Sequence, residues 1–334
     1  MKVPCIIGAD LSKKTIDVAS HPNGQYLKIT NDSEGFYRFK AWVKDQYQDL
    51  SQVKMVMEHT GAYSYRFEQF LHQQQISFSK VPGLAIKKSM GMVRGKSDKQ
   101  DSIRIARYGY EKMDQLTSVE PLSAAIQRLQ QLHSLREKLV ANRASLRVAV
   151  KEMQFVYACS KKDLLLATQL DLIKCYDKQV TKLEQQIQAE LKSEDAIEQN
   201  YELLQSIKGV GKVLAVAAIV KTNNFTKFPN ARKFACFCGT APFENSSGTS
   251  IRKRTKVSHM ADKKMKTLLD LAAKCAIRYD DELRQYYVRR VESGKSKMST
   301  INVVRNKILY RMFAVIKRQT PFYKLETTEI LIQP

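Results

Sequence analysis

The sequence has no continuous apolar run of the ~20 residues that a membrane-spanning helix requires. Its first apolar stretch is interrupted by Asp10 before the core of a signal peptide can form. Internal repeats and low-complexity segments are absent, and hydrophobic and charged residues make up 43% and 27% of the chain, as in globular proteins. We therefore expect a cytoplasmic protein with no membrane partner, built from two or three units.

Cysteine and histidine are sparse, and neither shows the spacing of a metal or catalytic motif. The five histidines form no motif of a hydrolase triad. Only one residue separates Cys236 from Cys238, and no second Cys/His pair follows at zinc-site spacing. We expect no zinc, and we predict reduced, mostly buried cysteines at positions 5, 159, 175, 236, 238 and 275.

Acidic residues are few: the chain has 33 Asp or Glu against 56 Lys or Arg, a net charge of +23. The segment Ser206–Arg318 holds 25 Lys or Arg and 7 Asp or Glu, so this third of the chain carries +18. A basic excess of this size favours phosphate contact with counterion release. The sequence therefore predicts a polyanionic partner, and a merely solubilising basic surface is the alternative.

Residues 1–118 alternate short apolar runs with helical patterns, which is typical of an α/β domain. The turn signal Pro22–Gly24 favours an antiparallel arrangement of the early strands. The order of elements predicts a sheet of ribonuclease H-like (RuvC-like) type. The predicted strands are Val3–Ala9, Thr15–Ser20, Tyr26–Thr30, Val53–Glu58 and Ile76–Val81, and the predicted helices are Ser33–Gln46 and Tyr65–Gln75.

Residues 119–200 carry two stripes with alternating three- and four-residue spacing, which is typical of a coiled-coil seam. The polar segment Ser160–Lys162 separates the stripes and predicts a reversal into an antiparallel hairpin, usually a spacer or an oligomer contact. The first stripe is Leu132, Leu135, Leu139, Asn142, Leu146, Ala149 and Met153, and the second is Leu172, Tyr176, Gln179, Leu183, Ile187 and Leu191.

Residues 201–334 form a basic, mainly α-helical region. Ser206–Lys212 resembles a helix-hairpin-helix motif, in which Gly209 and Gly211 expose amides to a phosphate beside Lys208 and Lys212. A plain turn between two helices uses the same residue types, so both interpretations stand. Helices are predicted at Lys212–Lys221, Asn230–Cys238, Ala261–Tyr279 and Thr300–Gln319, and a mobile exposed loop is predicted at Phe243–Lys256.

Four carboxylates stand where a sheet of this type gathers side chains. Asp10 and Glu58 end two predicted strands, and Asp98 and Asp101 share one face of a helix that a Ser97 and Gln100 capping box begins. Acids brought this close repel one another unless a cation neutralises them, and hard oxygen ligands select Mg²⁺ or Mn²⁺. The sequence therefore predicts a phosphodiester site with two metal ions, with all four acids as catalytic residues and metal ligands.

A serine-containing segment follows in the basic region, where Gly239–Gly248 leads to the cations Arg252, Lys253 and Arg254. Serine beside glycine is usually turn chemistry, so the residues alone assign no role to Ser246 or Ser247. The three cations are candidate contacts to nucleic acid.

Together these motifs resemble the recombinases of the insertion sequence 110 family, whose relatives include the Piv-type DNA invertases. The acidic tetrad matches at all four positions, within Glu58-His59-Thr60-Gly61 and Lys96-Ser97-Asp98-Lys99-Gln100-Asp101. Ser102 replaces the usual alanine after the last acid, and Lys208 replaces a common proline; we expect the first change to be harmless. Ser206–Gly211, Phe228–Lys233, Gly239–Pro242 and Ser247–Gly248 carry the likeness through the second half.

The resemblance implies a nucleophilic serine at Ser247, with Ser246 as its nearest rival. It further implies that dimers pair into a tetramer and that cutting uses acids and serine from different protomers. It also implies a noncoding bridge RNA that pairs with donor and target DNA. The expected function is Mg²⁺-dependent, serine-mediated excision and insertion of a bacterial insertion sequence, at the nucleoid when the enzyme acts.

Three other functions remain open at this point. A site-specific DNA invertase uses the same residues for inversion. A structure-specific nuclease or junction resolvase uses only the acidic site to activate water and leaves free ends. A catalytically silent nucleic-acid scaffold loses nothing when Asp10 and Asp98 are replaced by Asn.

Overall fold

A computed structural model describes residues 5–47, 50–59, 61–91, 95, 97–158, 160, 163–247 and 251–323, without the side chains of 51, 244–247 and 251–254. The start of the first predicted strand, Thr60, Lys96, Cys159, Lys161, Lys162 and Gly248 therefore lie outside the described residues. The chain divides into two compact units, residues 1–121 and 122–334.

The first unit is built on a five-stranded mixed sheet. Its order is β3-β2-β1-β4-β5, in which β1 and β3 pair antiparallel with β2, while β4 pairs parallel with β1 and β5. This confirms the mixed α/β prediction. The strands are β1 (Cys5–Leu11), β2 (Thr15–His21), β3 (Tyr26–Thr30), β4 (Val53–Glu58) and β5 (Ser77–Val81); the helices are α1 (Ser33–Gln46), α2 (Tyr65–Gln73), α3 (Gly83–Ser89) and α4 (Asp98–Glu111).

Alternating residues of the central strands bury both faces of this sheet. Ile7 and Met55 belong to the core that includes Phe39 of α1, whereas Ile6 and Val56 belong to the core on the opposite face. The second face is covered by α4, which contributes Ile105. Side chains that follow on this face toward the ends of β1 and β4 therefore point to the side of the sheet that α4 covers.

The second unit begins with a long antiparallel hairpin of α5 (Ala124–Tyr157) and α6 (Leu164–Leu191). Arg136 bonds to Glu184, and Arg143 further along α5 bonds to Asp177, which lies earlier in α6, so the helices run in opposite directions.

The predicted seam of this hairpin is partly wrong. Among the seam positions, Leu135, Asn142, Leu172 and Gln179 are exposed, and Ile173 and Val180 are buried instead. Because Arg136 and Arg143 reach across to α6, charged contacts take part of the interface that the leucine spacing assigned to apolar packing. Leu132, Ile187 and Leu191 are buried as predicted.

The base of the hairpin shares one apolar core with the helices that follow. A predicted loop, Phe243–Lys256, forms two antiparallel strands, because a run containing Ile251, Thr255 and Val257 favours extended pairing. The elements after the hairpin are α7 (Asp195–Gln205), α8 (Lys212–Thr222), α9 (Ala231–Phe237), β6 (Pro242–Ser247), β7 (Ile251–Val257), α10 (Lys263–Tyr279), α11 (Asp281–Glu292) and α12 (Lys297–Arg318).

Two further properties bear on the sequence predictions. Cys175 and Cys275 are exposed, contrary to the expectation of mostly buried cysteines. In the part of the chain that the structure describes, no helix is long and apolar enough to cross a membrane.

Candidate active site

Asp10 and Glu58 lie side by side near the carboxyl ends of two neighbouring strands. Ala9 of β1 is the register partner of Met57 of β4, so the next residue of each strand is one of the two acids. Side chains along a strand alternate between the two faces of the sheet, so both acids lie on the same face as Ile6 and Val56, which α4 covers. Both side chains are partly buried.

The position of the Glu58 carboxylate depends on a glycine. A Cβ atom at Gly83, the first residue of α3, would overlap the Glu58 carboxylate. The main chain after β5 therefore passes close to this acid, and a larger residue at 83 would displace the carboxylate. Gly83 is a determinant of the site that the sequence patterns did not reveal.

Helix α4 brings the other two acids to the same edge. The Ser97 hydroxyl accepts a hydrogen bond from the Gln100 amide at 3.3 Å, which starts the helix at Asp98 as predicted and puts Asp98 and Asp101 in its first turn. At Gly8 a Cβ atom would collide with the α4 backbone, so α4 lies directly on β1.

Ser102, at the position where the resemblance leads us to expect alanine, is fully buried beneath this turn. Its hydroxyl donates a 2.8 Å hydrogen bond to the Lys99 carbonyl. The buried hydroxyl is therefore satisfied within its own helix, and the replacement leaves no unpaired polar group near the acids.

Asp10 experiences the combined negative charge of this edge. Burial, followed by the neighbouring carboxylates of Asp101, Asp98, Asp17 and Glu58 in that order, raises the pKa of Asp10 to about 6. The other three predicted acids thus all act electrostatically on Asp10.

These acids fit a hard divalent cation in chemical type and in charge. Among the described residues, however, no three His, Cys, Asp or Glu side chains stand close enough to hold one ion. Asp101 is instead paired with Arg104 at 2.8 Å, and Arg104 also donates to the Gly95 carbonyl.

Asp17 is a fifth carboxylate that the sequence analysis missed. It is the register partner of Asp10 on β2 and is almost completely buried. Tyr26 donates a hydrogen bond to it, and Lys28 lies 3.6 Å away. The available signal was an acid between apolar neighbours in a predicted strand. Lys99 of α4 lies 4.9 Å from the Tyr26 ring centre and so links this group to the tetrad helix.

In the second unit, Ser246 and Ser247 end β6, opposite Arg252 and Ile251 of β7. Nothing is described of the side chains of Ser246, Ser247, Arg252, Lys253 or Arg254. The strand pairing nevertheless brings the backbone of the serine pair next to that of the basic run.

The start of this β-hairpin is held by α12. The carbonyl of the buried Thr240 accepts hydrogen bonds from the amides of Asn302 and Asn306, at 2.8 and 2.9 Å. The Thr240 hydroxyl donates in turn to Asn306 at 2.9 Å. The Gly239–Pro242 motif is therefore tied to helix residues that lie 62 and 66 positions further along the chain.

The turn between α7 and α8 gives its two glycines different environments. Gly209 has φ +95°, and a Cβ atom there would collide with Ala272 of α10. Gly211 is exposed, and a Cβ atom would meet open space. Close packing against Ala272 therefore explains the glycine at 209 as a structural turn residue. Gly211 is the residue that precedes α8, and the space where its side chain would lie is open.

Acids gathered at one sheet edge, in a chain with a basic helical region, are typical of enzymes that transfer nucleic-acid phosphodiesters. A family model described as "Transposase", of the DEDD type of IS110, matches residues 7–153. A second, "Transposase IS116/IS110/IS902 family", matches residues 201–288. The chain belongs to the IS110 family of transposases, and transposases of the DEDD type typically use a divalent metal ion.

The relatives extend over nearly the whole chain. A pilin gene-inverting protein of Moraxella lacunata is 28% identical over 328 residues, which cover 95% of this chain and 97% of the relative. The pilin gene-inverting protein of Moraxella bovis matches equally well. A probable family 20 transposase of Pseudomonas aeruginosa is 22% identical, over 81% of this chain and 84% of the relative. The protein is thus a DNA transposase or recombinase.

Proposed function

We propose that the protein catalyses Mg²⁺-dependent, serine-mediated DNA strand exchange that excises and inserts an insertion sequence, guided by a noncoding bridge RNA. The observation that carries the proposal is the gathering of Asp10, Glu58, Asp98 and Asp101 at one edge of the mixed five-stranded sheet. The same chain adds a serine pair beside a basic strand. An acidic site alone can activate water or a sugar hydroxyl, whereas a covalent intermediate requires a protein nucleophile that keeps the phosphate bound.

The acidic tetrad supplies the ligands for the ion. Mg²⁺, or Mn²⁺ in its place, would polarise phosphate oxygens there and offset the charge that develops on them. Asp10 would be its central ligand, because the other three acids all act electrostatically on Asp10. Arg104, which is paired with Asp101, would compete with the ion for that carboxylate.

Ser247 supplies the nucleophile. Its oxygen attacks the phosphorus of one phosphodiester, a phosphoserine bond forms, and the displaced deoxyribose oxygen takes up a proton as a free hydroxyl. The hydroxyl of another strand then attacks the phosphoserine and releases the serine. One ester replaces another in each step, so rejoining needs no ATP.

Nucleic acid is bound by the basic second unit. Lys208, Gly209, Gly211 and Lys212 contact backbone phosphate at the start of α8, and Arg252, Lys253 and Arg254 contact it beside Ser247. Lys208, Gly211 and Lys212 are exposed, as the role requires, and a Cβ atom at Gly211 would meet open space.

Oligomerisation uses the helical hairpin. Its tip exposes a group of apolar side chains that no other described part of the chain covers: Phe155, Val156, Tyr157, Leu164 and Leu165. We propose that these tips join dimers into a tetramer, in which acids and serine come from different protomers.

The test is reconstitution with donor DNA, target DNA, Mg²⁺ and RNA transcribed from the noncoding DNA beside the gene. Recombinant junctions are expected that disappear without RNA and in Asp10→Asn or Ser247→Ala. The matched controls are Asp114→Asn, an exposed acid in the same unit, and Ser246→Ala. Cleavage without joining, indifferent to RNA and Ser247, would leave a nuclease.

Inversion is the second candidate outcome, because the pilin gene-inverting relatives of Moraxella match over almost the full chain. A plasmid with the two recombination sites in inverted orientation separates the outcomes. Inversion of the intervening segment without excision would assign this protein to the invertases.

A further inference from the structure

A cavity of about 350 Å³ lies in the second unit, between the base of the hairpin and the first turns of α8. None of its lining residues belongs to the acidic tetrad or to the serine strand. Its apolar lining comes from Ile187 of α6 and from Val213 and Val216 of α8. Its volume falls at the lower end of the ~300–1,000 Å³ range of ligand pockets.

The polar groups around this cavity are not all engaged with one another. Arg136 and Glu184 satisfy each other through bonds of 2.6 and 2.8 Å. The amide of Gln188 donates to the Tyr201 hydroxyl at 3.1 Å, which leaves the Gln188 carbonyl without a described partner. Gln185 is exposed at the rim.

His133 is the most unusual residue of the lining. Its side chain is 3% exposed, and its Nε2 atom has no hydrogen-bond partner among the described residues. Glu137 Oε1 lies 3.6 Å from this atom, and Glu137 is itself paired with Lys264 at 2.8 Å. A buried imidazole without a partner is costly unless a ligand or a small rearrangement satisfies it.

The mouth of the cavity is positive. Lys212 is exposed and makes no ion pair among the described residues, and it is the first residue of α8. The N-cap residue Gly211 offers no side chain to the first-turn amides, and that turn has no acid. These amides and Lys212 together favour a phosphate at the mouth.

We propose that the cavity binds one unpaired nucleobase of a DNA strand, with its phosphate at Lys212 and the first turn of α8. The apolar lining suits the faces of a base, and the free polar atoms of His133, Gln185 and Gln188 suit its edge. A paired base cannot enter a recess of this size with its partner. The surrounding excess of +18 in Ser206–Arg318 favours a nucleic acid over an acidic or neutral ligand.

The test measures binding of the full chain in EDTA, so that it is independent of the metal site and of Ser247. Fluorescence anisotropy compares a thymidine 12-mer of single-stranded DNA with an abasic 12-mer that has the same number of phosphates. We expect the wild type to bind the thymidine strand about 5- to 100-fold more tightly, as base-stacking contacts of this kind do.

Val213→Trp fills the cavity without changing its charge. The variant is expected to bind both strands equally, at the wild-type level for the abasic strand. Its slope of log affinity against log salt should be unchanged, because the phosphate contacts remain. The matched control is Val148→Trp at an exposed valine of α5, about 22 Å from His133 at ~1.5 Å per helical residue. The control should retain the preference.

Gln185→Trp at the exposed rim provides a second blocking variant if Val213→Trp fails to fold. The proposal is overturned if the wild type binds both strands equally, or if the folded blocking variant keeps the preference. A preference that appears only with a uridine 12-mer of RNA also overturns it, since the cavity would then bind RNA.

Discussion

At the residue scale, Asp10 concentrates the electrostatics of the site. Its raised pKa means that the folded protein holds this proton between about pH 4 and pH 6, where the unfolded chain has released it. Unfolding free energy therefore falls as pH rises through this window, and the penalty is fully present above pH 6. A divalent ion bound by these acids would offset the penalty by neutralising their charge.

Asp10→Asn should consequently stabilise the protein in EDTA at pH 7.5, by about 1 kcal/mol once solvent screening of a half-buried carboxylate is allowed for. Near pH 4 the two proteins should be equally stable. Urea unfolding at both pH values measures this difference, with Asp114→Asn as the control. A variant no more stable than wild type at pH 7.5 would contradict the electrostatic account.

A second residue-scale prediction compares two glycines that have no room for a side chain, Gly8 and Gly83. Gly8→Ala collides with the α4 backbone and should cost about 1–3 kcal/mol of stability. Gly83→Ala meets only the Glu58 carboxylate, so it should change stability little while weakening Mn²⁺ binding several-fold. Thermal unfolding and calorimetric Mn²⁺ titration distinguish the two effects. Equal behaviour of the variants would show that Gly83 does not set the Glu58 position.

At the element scale, the contact between α12 and Gly239–Pro242 positions the serine hairpin. Asn306→Asp keeps the side-chain size but replaces the amide donor by a carboxylate that faces the Thr240 carbonyl. We expect a loss of about 1–3 kcal/mol in stability and a slower covalent step at saturating DNA, with DNA affinity unchanged. Single-turnover adduct formation and anisotropy measure these quantities.

The control for this prediction is Asn142→Asp, at an exposed asparagine of α5. Weakened DNA binding together with an unchanged adduct rate would show that the contact supports binding instead of catalysis.

The same scale shows what the sequence could and could not predict. Helix Ser33–Gln46 and strands Tyr26–Thr30 and Val53–Glu58 have the predicted bounds, because capping residues and strong periodicity define them locally. The hairpin seam was displaced by one residue at several positions because arginines occupy it. The polar residues of the segment Phe243–Lys256 predict a loop. The segment instead contains two strands that pair with each other, and the polarity of each stretch alone does not reveal that pairing.

The candidate site divides in the same way. The tetrad positions follow from strand ends and a capping box, both of which are local signals. Asp17 and Gly83 depend on which strands pair and on how closely a loop passes, and these are long-range properties of the chain. The Thr240 contact joins residues more than 60 positions apart, so no local pattern could indicate it.

At the scale of the whole molecule, the exposed apolar tip of the α5–α6 hairpin predicts that the protein assembles into an oligomer through this tip. The double variant Phe155→Glu with Leu164→Glu should lower the oligomeric state on DNA and RNA, because like charges replace an apolar contact. Light scattering coupled to size exclusion measures the mass. Leu271→Glu with Val288→Glu, two exposed apolar residues of the same unit, is the control. An unchanged mass would remove the tip from the interface.

The central claim is that Ser247 forms a covalent bond to DNA in a reaction that depends on the acidic tetrad. The most direct measurement is mass spectrometry of the protein–DNA adduct after nuclease and protease digestion. We predict a phosphodeoxynucleotide on Ser247, present in wild type and Ser246→Ala and absent in Asp10→Asn and Ser247→Ala. An adduct that persists in Ser247→Ala, or cleaved DNA with free ends and no adduct, would contradict the account.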